Sequence, residues 1–534
     1  MIKRNAIILA AGKSSRFAPF TYERPKGLFR VKGEVLIERQ IEQLLEAGVD
    51  KIYIVVGYMK EKFFYLEQKY RGGGVFLIPN CNFGPKGNLY SVYVAKEHLA
   101  NSYICCADHY FVNNPFLNDN PQNISYRVCT YKRGRFGEFS VRCSDADVIT
   151  DVELGGSNQL TMAGYAYFNR HFSRMFCRFM EQEINDFRVA SLFWEEFYNR
   201  HIKDLTLYAK KFKSEDVLEF NSIDSLREFD ADFLYNVDSK IISNICNTIK
   251  CHPNDITDIN IINAGLTNVS FSFTVGETKF VYRHPGGTAG NLINRHAEMY
   301  SQMTAKQLGV DKSVIEMSLN GWKLSYCIEN LEECDFRKYP EQRKRGLEYL
   351  RKMHAVNVTD DIKVFDDFEE GMKLIKIASA TKGNLLEEFS TEIAKARRLS
   401  QYLKEDAKQM GINMVLCHND TYEPNFLSTK DGDLYLIDWE YAGLNDPAND
   451  LACFFCRYNY TDEDIELFMR EYFQRDLTDE EHRHWWAYIA LCSFYWFGWG
   501  LYKGSVGDND GFFFLPAYRN FHRFIDAALA SYEN

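Results

Sequence analysis

Short apolar runs alternate with helical patterns along the first hundred residues. Residues 6–10 (AIILA) form an unbroken apolar run of strand length. Residues 35–47 (VLIERQIEQLLEA) repeat apolar positions at helical spacing and stop at Gly48. A strand at 51–57 (KIYIVVG), a helix to Tyr70, a strand at 75–79, a helix at 89–99 and a strand at 103–107 continue the alternation. This order predicts an α/β unit with a mostly parallel sheet, whose ligands gather at the carboxyl ends of its strands. Gly12 and Asp108 both fall at such ends. The pattern then changes. Residues 261–282 read as a hairpin with turns at Ala264-Gly265 and at 275–277, and helical patterns fill the span to Met410. A loop-and-strand block at 416–443 follows, then an aromatic helix. Residues 226–238 close the first pattern without a Pro- or Ser-rich linker, which predicts domains at 1–234 and 236–534 with a boundary near Tyr235.

Composition narrows the classes. A chain of 534 residues is too long for one ordinary core, and 46% hydrophobic with 26% charged residues is globular usage. The 63 basic and 74 acidic residues leave a net charge of −11, which argues against a general binder of nucleic acid or anionic membrane. The 14 cysteines show no disulfide-framework spacing, so free thiols in a reducing cytoplasm are expected. The first apolar run is too short for a signal segment. Residues 485–502 (WWAYIALCSFYWFGWGLY) are apolar but aromatic, and Glu480, Glu481, Arg483 and His484 abut them. A buried helix is expected there, not a membrane span.

Two stretches carry candidate chemistry. Residues 416–443 (LCHNDTYEPNFLSTKDGDLYLIDWEYAG) concentrate His418, Asn419, Asp420, Asn425, Asp438 and Glu440 around a Gly-containing turn. Phosphoryl transfer needs an Asp to orient the attacking hydroxyl, and an Asn with a second Asp to hold Mg²⁺ on the nucleotide phosphates. Asp420, Asn425 and Asp438 are those types in that order. In the first domain, residues 11–16 (AGKSSR) follow the first strand as a Gly-containing loop whose backbone N–H groups can approach phosphates. Lys13, Arg16 and Lys26 add positive charge, although the loop matches neither the P-loop nor the dinucleotide fingerprint.

HNDTYEPN followed by LIDWEYAG resembles the choline/ethanolamine kinase and aminoglycoside phosphotransferase group, with IDWEY most like choline kinase. The resemblance implies an α+β protein-kinase-like domain of two lobes. Asp420 would be the catalytic base and Asn425 and Asp438 the metal ligands. Thr267, Asn268, Arg283, Glu298 and His418 would surround ATP, with Arg283 in the place of the kinase lysine and Glu298 as its helix partner. Trp496 and Trp499 share a helical face. By resemblance they would box a trimethylammonium together with Glu440, Tyr441 and Tyr518. Residues 485–502 are richer in aromatics than polyamine recognition would call for.

The block LAAGKSSRFAP…RPKGL is similar to the nucleotidyltransferases that make CDP-, UDP- and dTDP-linked products. That implies a Rossmann-like domain in which Ala11, Gly12, Lys13, Ser14 and Asn88 hold the triphosphate. Lys26 and Arg16 would act in catalysis, and Asp108 and Asn221 would bind metal. Relatives that use phosphocholine carry E-x-D-S where this chain reads Glu219-Phe220-Asn221-Ser222. A neutral carbonyl is a weaker ligand for a hard cation than a carboxylate. Trp194 and Tyr165, in an aromatic-acidic segment, are the candidates for the choline end.

Together the two resemblances imply a bifunctional cytoplasmic enzyme dependent on Mg²⁺. One domain would phosphorylate choline with ATP, and the other would convert phosphocholine and CTP to CDP-choline and pyrophosphate. Its partners would be these small molecules, with neither nucleic acid nor membrane insertion; a homo-oligomer is compatible with the sequence. The alternatives are ethanolamine or an aminophosphonate as substrate, or a kinase fused to a degenerate transferase domain.

Overall fold

The computed structural model describes residues 3–84, 87–121, 123–262, 268–286, 292–507 and 511–533. It comprises two compact units, Met1–Thr257 and Asp258–Asn534.

The first unit is built on a seven-stranded sheet. Its spatial order is Tyr208–Phe212, Tyr126–Cys143, Ile149–Phe168, Ser102–Cys106, Asn5–Ala10, Lys51–Val56 and Val75–Pro79. Asn5–Ala10 runs parallel to both of its neighbours, while the long hairpin Tyr126–Cys143/Ile149–Phe168 joins antiparallel. Both faces are covered, which explains the near-continuous apolar strands. Along Asn5–Ala10, Ala6, Ile8 and Ala10 enter one core, shared with Ile37, Ile41 and Leu44 of the helix Leu36–Glu46. Ile7 and Leu9 enter the other, with Leu89 and Val92 of the helix Asn88–Val94. The register pairs Leu9 with Cys106, so the loops that begin at Ala11 and Ala107 leave the sheet side by side.

The units part at Thr257, beyond the expected junction at Tyr235. Phe233 packs edge-on against Phe20, and Glu23 Oε1 accepts the Lys240 N–H at the start of the helix Lys240–Ile249. With no flexible linker to mark a break, the chain beyond Tyr235 stays tied to the first unit by the Glu23 contact.

The second unit opens with an antiparallel sheet. Asn268–Val275 and Thr278–Pro285 form a hairpin, followed in space by Lys323–Tyr326 and Val314–Met317. The helix Arg295–Gln307 accompanies it. A helical portion follows, with a small hairpin, Phe426–Thr429/Leu434–Leu436, set among the helices Pro340–His354, Asp367–Lys382, Pro447–Phe455 and Asp479–Ser505. Buried side chains surround the last of these, from His484 through Gly500 with few interruptions, so it has no polar face to reveal in the sequence. It meets Asp367–Lys382 at a glycine contact: a Cβ on Gly498 would lie 2.9 Å from the Gly371 carbonyl oxygen. Among the described residues no helix is long and apolar enough to cross a membrane.

His484 bridges two acids inside this core. Its Nδ1 lies 3.0 Å from Asp406 and its Nε2 2.9 Å from Asp446. Burial alone would lower its pKa, but the two carboxylates outweigh burial and raise it above the ordinary 6.5. A raised folded-state pKa stabilises the protein fully below the unfolded value and ceases to do so as pH rises through the folded value. The urea-midpoint advantage of wild type over His484→Gln is therefore expected to be largest at about pH 6 and to shrink toward about pH 9. An advantage that grows with pH would contradict this charge assignment.

Candidate active sites

In the first unit the loop after Asn5–Ala10 and the segment at Asp108 line a cavity of about 340 Å³. Ala11, Gly12, Ser14, Lys26, Asn88 and Asp108 all border it. Ser14 has φ 49°, a left-handed conformation that a non-glycine residue adopts at a cost. The Lys26 ammonium donates to Asp108 Oδ2 at 2.9 Å and to the Phe220 carbonyl at 2.5 Å, and sits 4.2 Å from the Phe17 ring centre. Gly27 is required beside it, because a Cβ there would come within 2.8 Å of Ala107 Cβ. Burial would raise the Asp108 carboxyl, but Lys26 and His109 overcome that and bring it down to about 2. Asp108 is thus an ionised hard-oxygen donor with 28% of its side chain open, a fit for Mg²⁺. Asn221 is exposed, and its Nδ2 donates to Glu138 Oε1 at 3.0 Å. Lys13 and Arg16 are exposed on the same loop but are not cavity-wall residues.

The aromatic assignments in this unit need correction. Tyr165 is fully buried, packed against Tyr103, Phe111, Phe116 and Tyr126. Trp194 is 2% exposed, with its ring on Phe168 and its backbone N–H donated to Asn88 Oδ1. Neither presents a ligand surface. Phe83 and Phe193 line the cavity instead. Phe193 precedes the helix Trp194–Arg200, and a step of one residue at that turn separates a cavity wall from a core side chain.

In the second unit a short stretch of chain gathers the polar residues. Asn425 Nδ2 donates to the Asp420 carbonyl at 2.8 Å and to Asp420 Oδ2 at 3.0 Å. Asn419 and Asp438 both have positive φ, 63° and 67°. The Asp438 side chain is 42% exposed and faces Arg283 Nη1 at 3.9 Å. Arg283 pairs with Glu298 at 2.5 Å, and Arg295 reaches the same carboxylate at 2.7 Å. Asn425 and Asp438 offer a carbonyl and an open carboxylate, again a hard-oxygen set suited to Mg²⁺. Asp420 has its pKa raised by burial, against the opposing charge of Arg457.

His418 is placed differently from the expected nucleotide contact. Its Nε2 donates to the Ile437 carbonyl at 2.9 Å and its Nδ1 accepts the Asp420 N–H at 3.2 Å, so it braces the loop. Thr267 lies outside the described residues. Asn268 Nδ2 donates to Glu440 Oε2 at 2.8 Å. Tyr441 joins the tryptophans: its ring lies edge-on to Trp496 at 5.8 Å, and its hydroxyl accepts from Trp499 Nε1 at 3.1 Å. Tyr518 packs elsewhere, against Phe389, Phe497 and Phe514, because Phe497 is on a different face of the helix from Trp496. Sequence reasoning missed Tyr422 and Arg457, whose guanidinium carbon lies 4.0 Å from the Tyr422 ring centre and 3.7 Å from that of Trp496. One arginine ending an apolar run, residues 451–456, was the available signal, since a buried cation demands a partner.

Comparison with known proteins finds relatives for both units. A choline/ethanolamine kinase family model matches residues 259–503, and a MobA-like NTP transferase domain model matches residues 6–150. The chain is 34% identical over 238 residues to the 2-aminoethylphosphonate cytidylyltransferase of Lancefieldella rimae, covering 44% of this chain and 94% of the relative. It is 32% identical over 225 residues to the choline-phosphate cytidylyltransferase of Streptococcus pneumoniae, covering 42% and 96%. It is 25% identical over 258 residues to the Protein LicA of Haemophilus influenzae, covering 46% and 93%.

Two substitutions probe these geometries. Lys26→Met removes the cation on Asp108, so nucleotidyl transfer should fall by about a hundredfold or more and the acid limb of its pH profile should move upward. Arg283→Ala should raise the KM for ATP and lower kcat by about a hundredfold together. A kcat left unchanged would remove Arg283 from the phosphate site.

Proposed function

The chain belongs to the cytidylyltransferase family through its first unit and to the choline/ethanolamine kinase family through its second, and on that premise we propose that it makes phosphocholine from choline and ATP and converts phosphocholine with CTP to CDP-choline and pyrophosphate. The observation that carries this reading is the presence, in one chain, of the Asp420–Asn425–Asp438 loop and of the Ala11–Ser14 loop beside Lys26 and Asp108. A kinase creates a phosphate monoester, and a phosphocholine cytidylyltransferase consumes one.

Asp420 accepts a hydrogen bond from the choline hydroxyl and takes its proton as the oxygen attacks the γ-phosphorus of ATP. Arg283, held by Glu298, pairs with phosphate oxygens. In the first unit a phosphocholine oxygen attacks the α-phosphorus of CTP and pyrophosphate leaves. The backbone N–H groups of the Ala11–Ser14 loop and Lys26 take up the charge. Asn425 and Asp438 in one unit, and Asp108 with Asn221 in the other, would hold Mg²⁺, which when bound would supply positive charge against the nucleotide phosphates. Tyr422, Tyr441, Trp496 and Trp499 offer the aromatic faces that recognise a quaternary ammonium. Both reactions draw on cytoplasmic nucleotides, and the cytoplasm is the proposed location.

A second reading follows from the 34% relative, whose name specifies an aminophosphonate. An aminophosphonate already carries its phosphorus on carbon and needs no kinase, so the fused kinase favours choline or ethanolamine. Product analysis with choline, ATP, CTP and Mg²⁺ in one reaction is expected to yield CDP-choline and pyrophosphate. Asp420→Asn should stop formation of phosphocholine yet still convert phosphocholine supplied from outside, and Asp108→Asn should do the reverse. Phosphocholine accumulating without CDP-choline in the wild-type reaction would mark the transferase as inactive, and a strong preference for ethanolamine would replace choline.

A further inference from the structure

Asp420 has both oxygens engaged. Oδ2 accepts from Asn425 Nδ2, and Oδ1 accepts from Arg457 Nη2 at 2.6 Å. Arg457 follows the helix Pro447–Phe455 and is 5% exposed. Its guanidinium lies against two rings, 4.0 Å from the centre of Tyr422 and 3.7 Å from that of Trp496. Two aromatic faces with one carboxylate are what a site for a small organic cation offers. Here the chain fills that site with a cation of its own.

The fit of Arg457 is incomplete. Its Nε and the Trp496 Nε1 are buried without a hydrogen-bond acceptor among the described residues. Both groups are donors only, and a buried donor left unpaired weakens the arrangement that contains it. A second cation cannot share the Trp496 face with the guanidinium, because two positive charges at that separation repel strongly in a desolvated site.

We propose that Arg457 is a resident cation that fills the acceptor seat of the kinase site and holds Asp420 until the acceptor's cationic head takes its place between Tyr422 and Trp496. This rests on the proposed reading that the acceptor is a cationic amino alcohol. Displacement releases Asp420 Oδ1 to receive the acceptor's hydroxyl, so acceptor binding and release of the base are one event. With Arg457 seated, Asp420 is not available to activate water against ATP, and ATP is spared when no acceptor is present.

The test uses the full chain with ATP and Mg²⁺ and compares wild type with Arg457→Met and Arg457→Gln. Each neutral variant should hydrolyse ATP without acceptor about tenfold faster than wild type and show a KM for choline about tenfold lower. Adding Asp420→Asn to either should abolish the extra hydrolysis, which assigns it to this site. Arg457→Lys keeps the charge but cannot span both rings, so intermediate values are expected; it serves as the test variant where thermal shifts show that the neutral ones do not bind ATP. A KM for choline that rises, with acceptor-free hydrolysis unchanged in a variant that binds ATP, would overturn the proposal and make Arg457 a residue that positions Asp420. If wild type phosphorylates neither choline nor ethanolamine, the acceptor reading fails, while the hydrolysis comparison still decides whether Arg457 restrains Asp420.

Discussion

The kinase loop depends on one buried carboxylate. Asp450, fully buried, accepts the backbone N–H groups of His418 at 2.9 Å and Asn419 at 2.7 Å, with His354 Nε2 at 3.0 Å. Burial would push the Asp450 carboxyl up, but His354 and these N–H groups outweigh burial and keep it low. The result is an anion that pins two consecutive peptide units. Asn419 can then hold its positive φ, its Oδ1 taking donors from Asn445 and Asn449. The turn so fixed sets Asp420 against Asn425. An apolar residue at position 450 would release the loop and leave buried N–H groups unpaired, at a cost of about 1–3 kcal/mol for each. The geometry of this loop is a matter of backbone, set by a carboxylate with no exposed surface of its own.

One physical device recurs in both units. Each acid assigned to phosphate chemistry is met by a cation of the chain: Asp108 by Lys26, Glu298 and Asp438 by Arg283, and Asp420 by Arg457. A buried carboxylate without such a partner would take up a proton and lose its function as base or ligand. The partner also restrains it. At Asp420, the proposed displacement of Arg457 would couple acceptor binding to a competent site.

What could be read from the sequence follows the range of the contacts involved. Asp420, Asn425 and Asp438 come together because they lie on one short hairpin and its flanking loops, where spacing alone constrains them. Gly12 and Asp108 meet because adjacent parallel strands deliver them to one edge, so strand order sufficed. Tyr165 and Trp194 failed for the opposite reason. Tyr165 is on a strand, where successive side chains point to opposite faces, and Trp194 opens a helix one residue past the cavity wall; composition cannot say which face holds the ligand, and Phe193 and Phe83 took the places expected of them. His418 looked like a ligand because it is polar and local, yet its ring nitrogens are used up by backbone partners. Arg457 and Tyr422 meet across tens of residues, a contact that neither periodicity nor motif encodes. The junction escaped for want of a linker: beyond Tyr235 the start of the helix Lys240–Ile249 is still tied to the first unit, through Glu23 accepting from the Lys240 and Ile241 N–H groups.

If the two phosphate-handling sites of this chain act in series, the ester made by one is consumed by the other, and the γ-phosphorus of ATP can be followed through both. With γ-labelled ATP, choline, unlabelled CTP and Mg²⁺, label should appear in CDP-choline, on the phosphorus bonded to choline, with unlabelled pyrophosphate. CDP-choline free of label, or label confined to inorganic phosphate, would refute action in series.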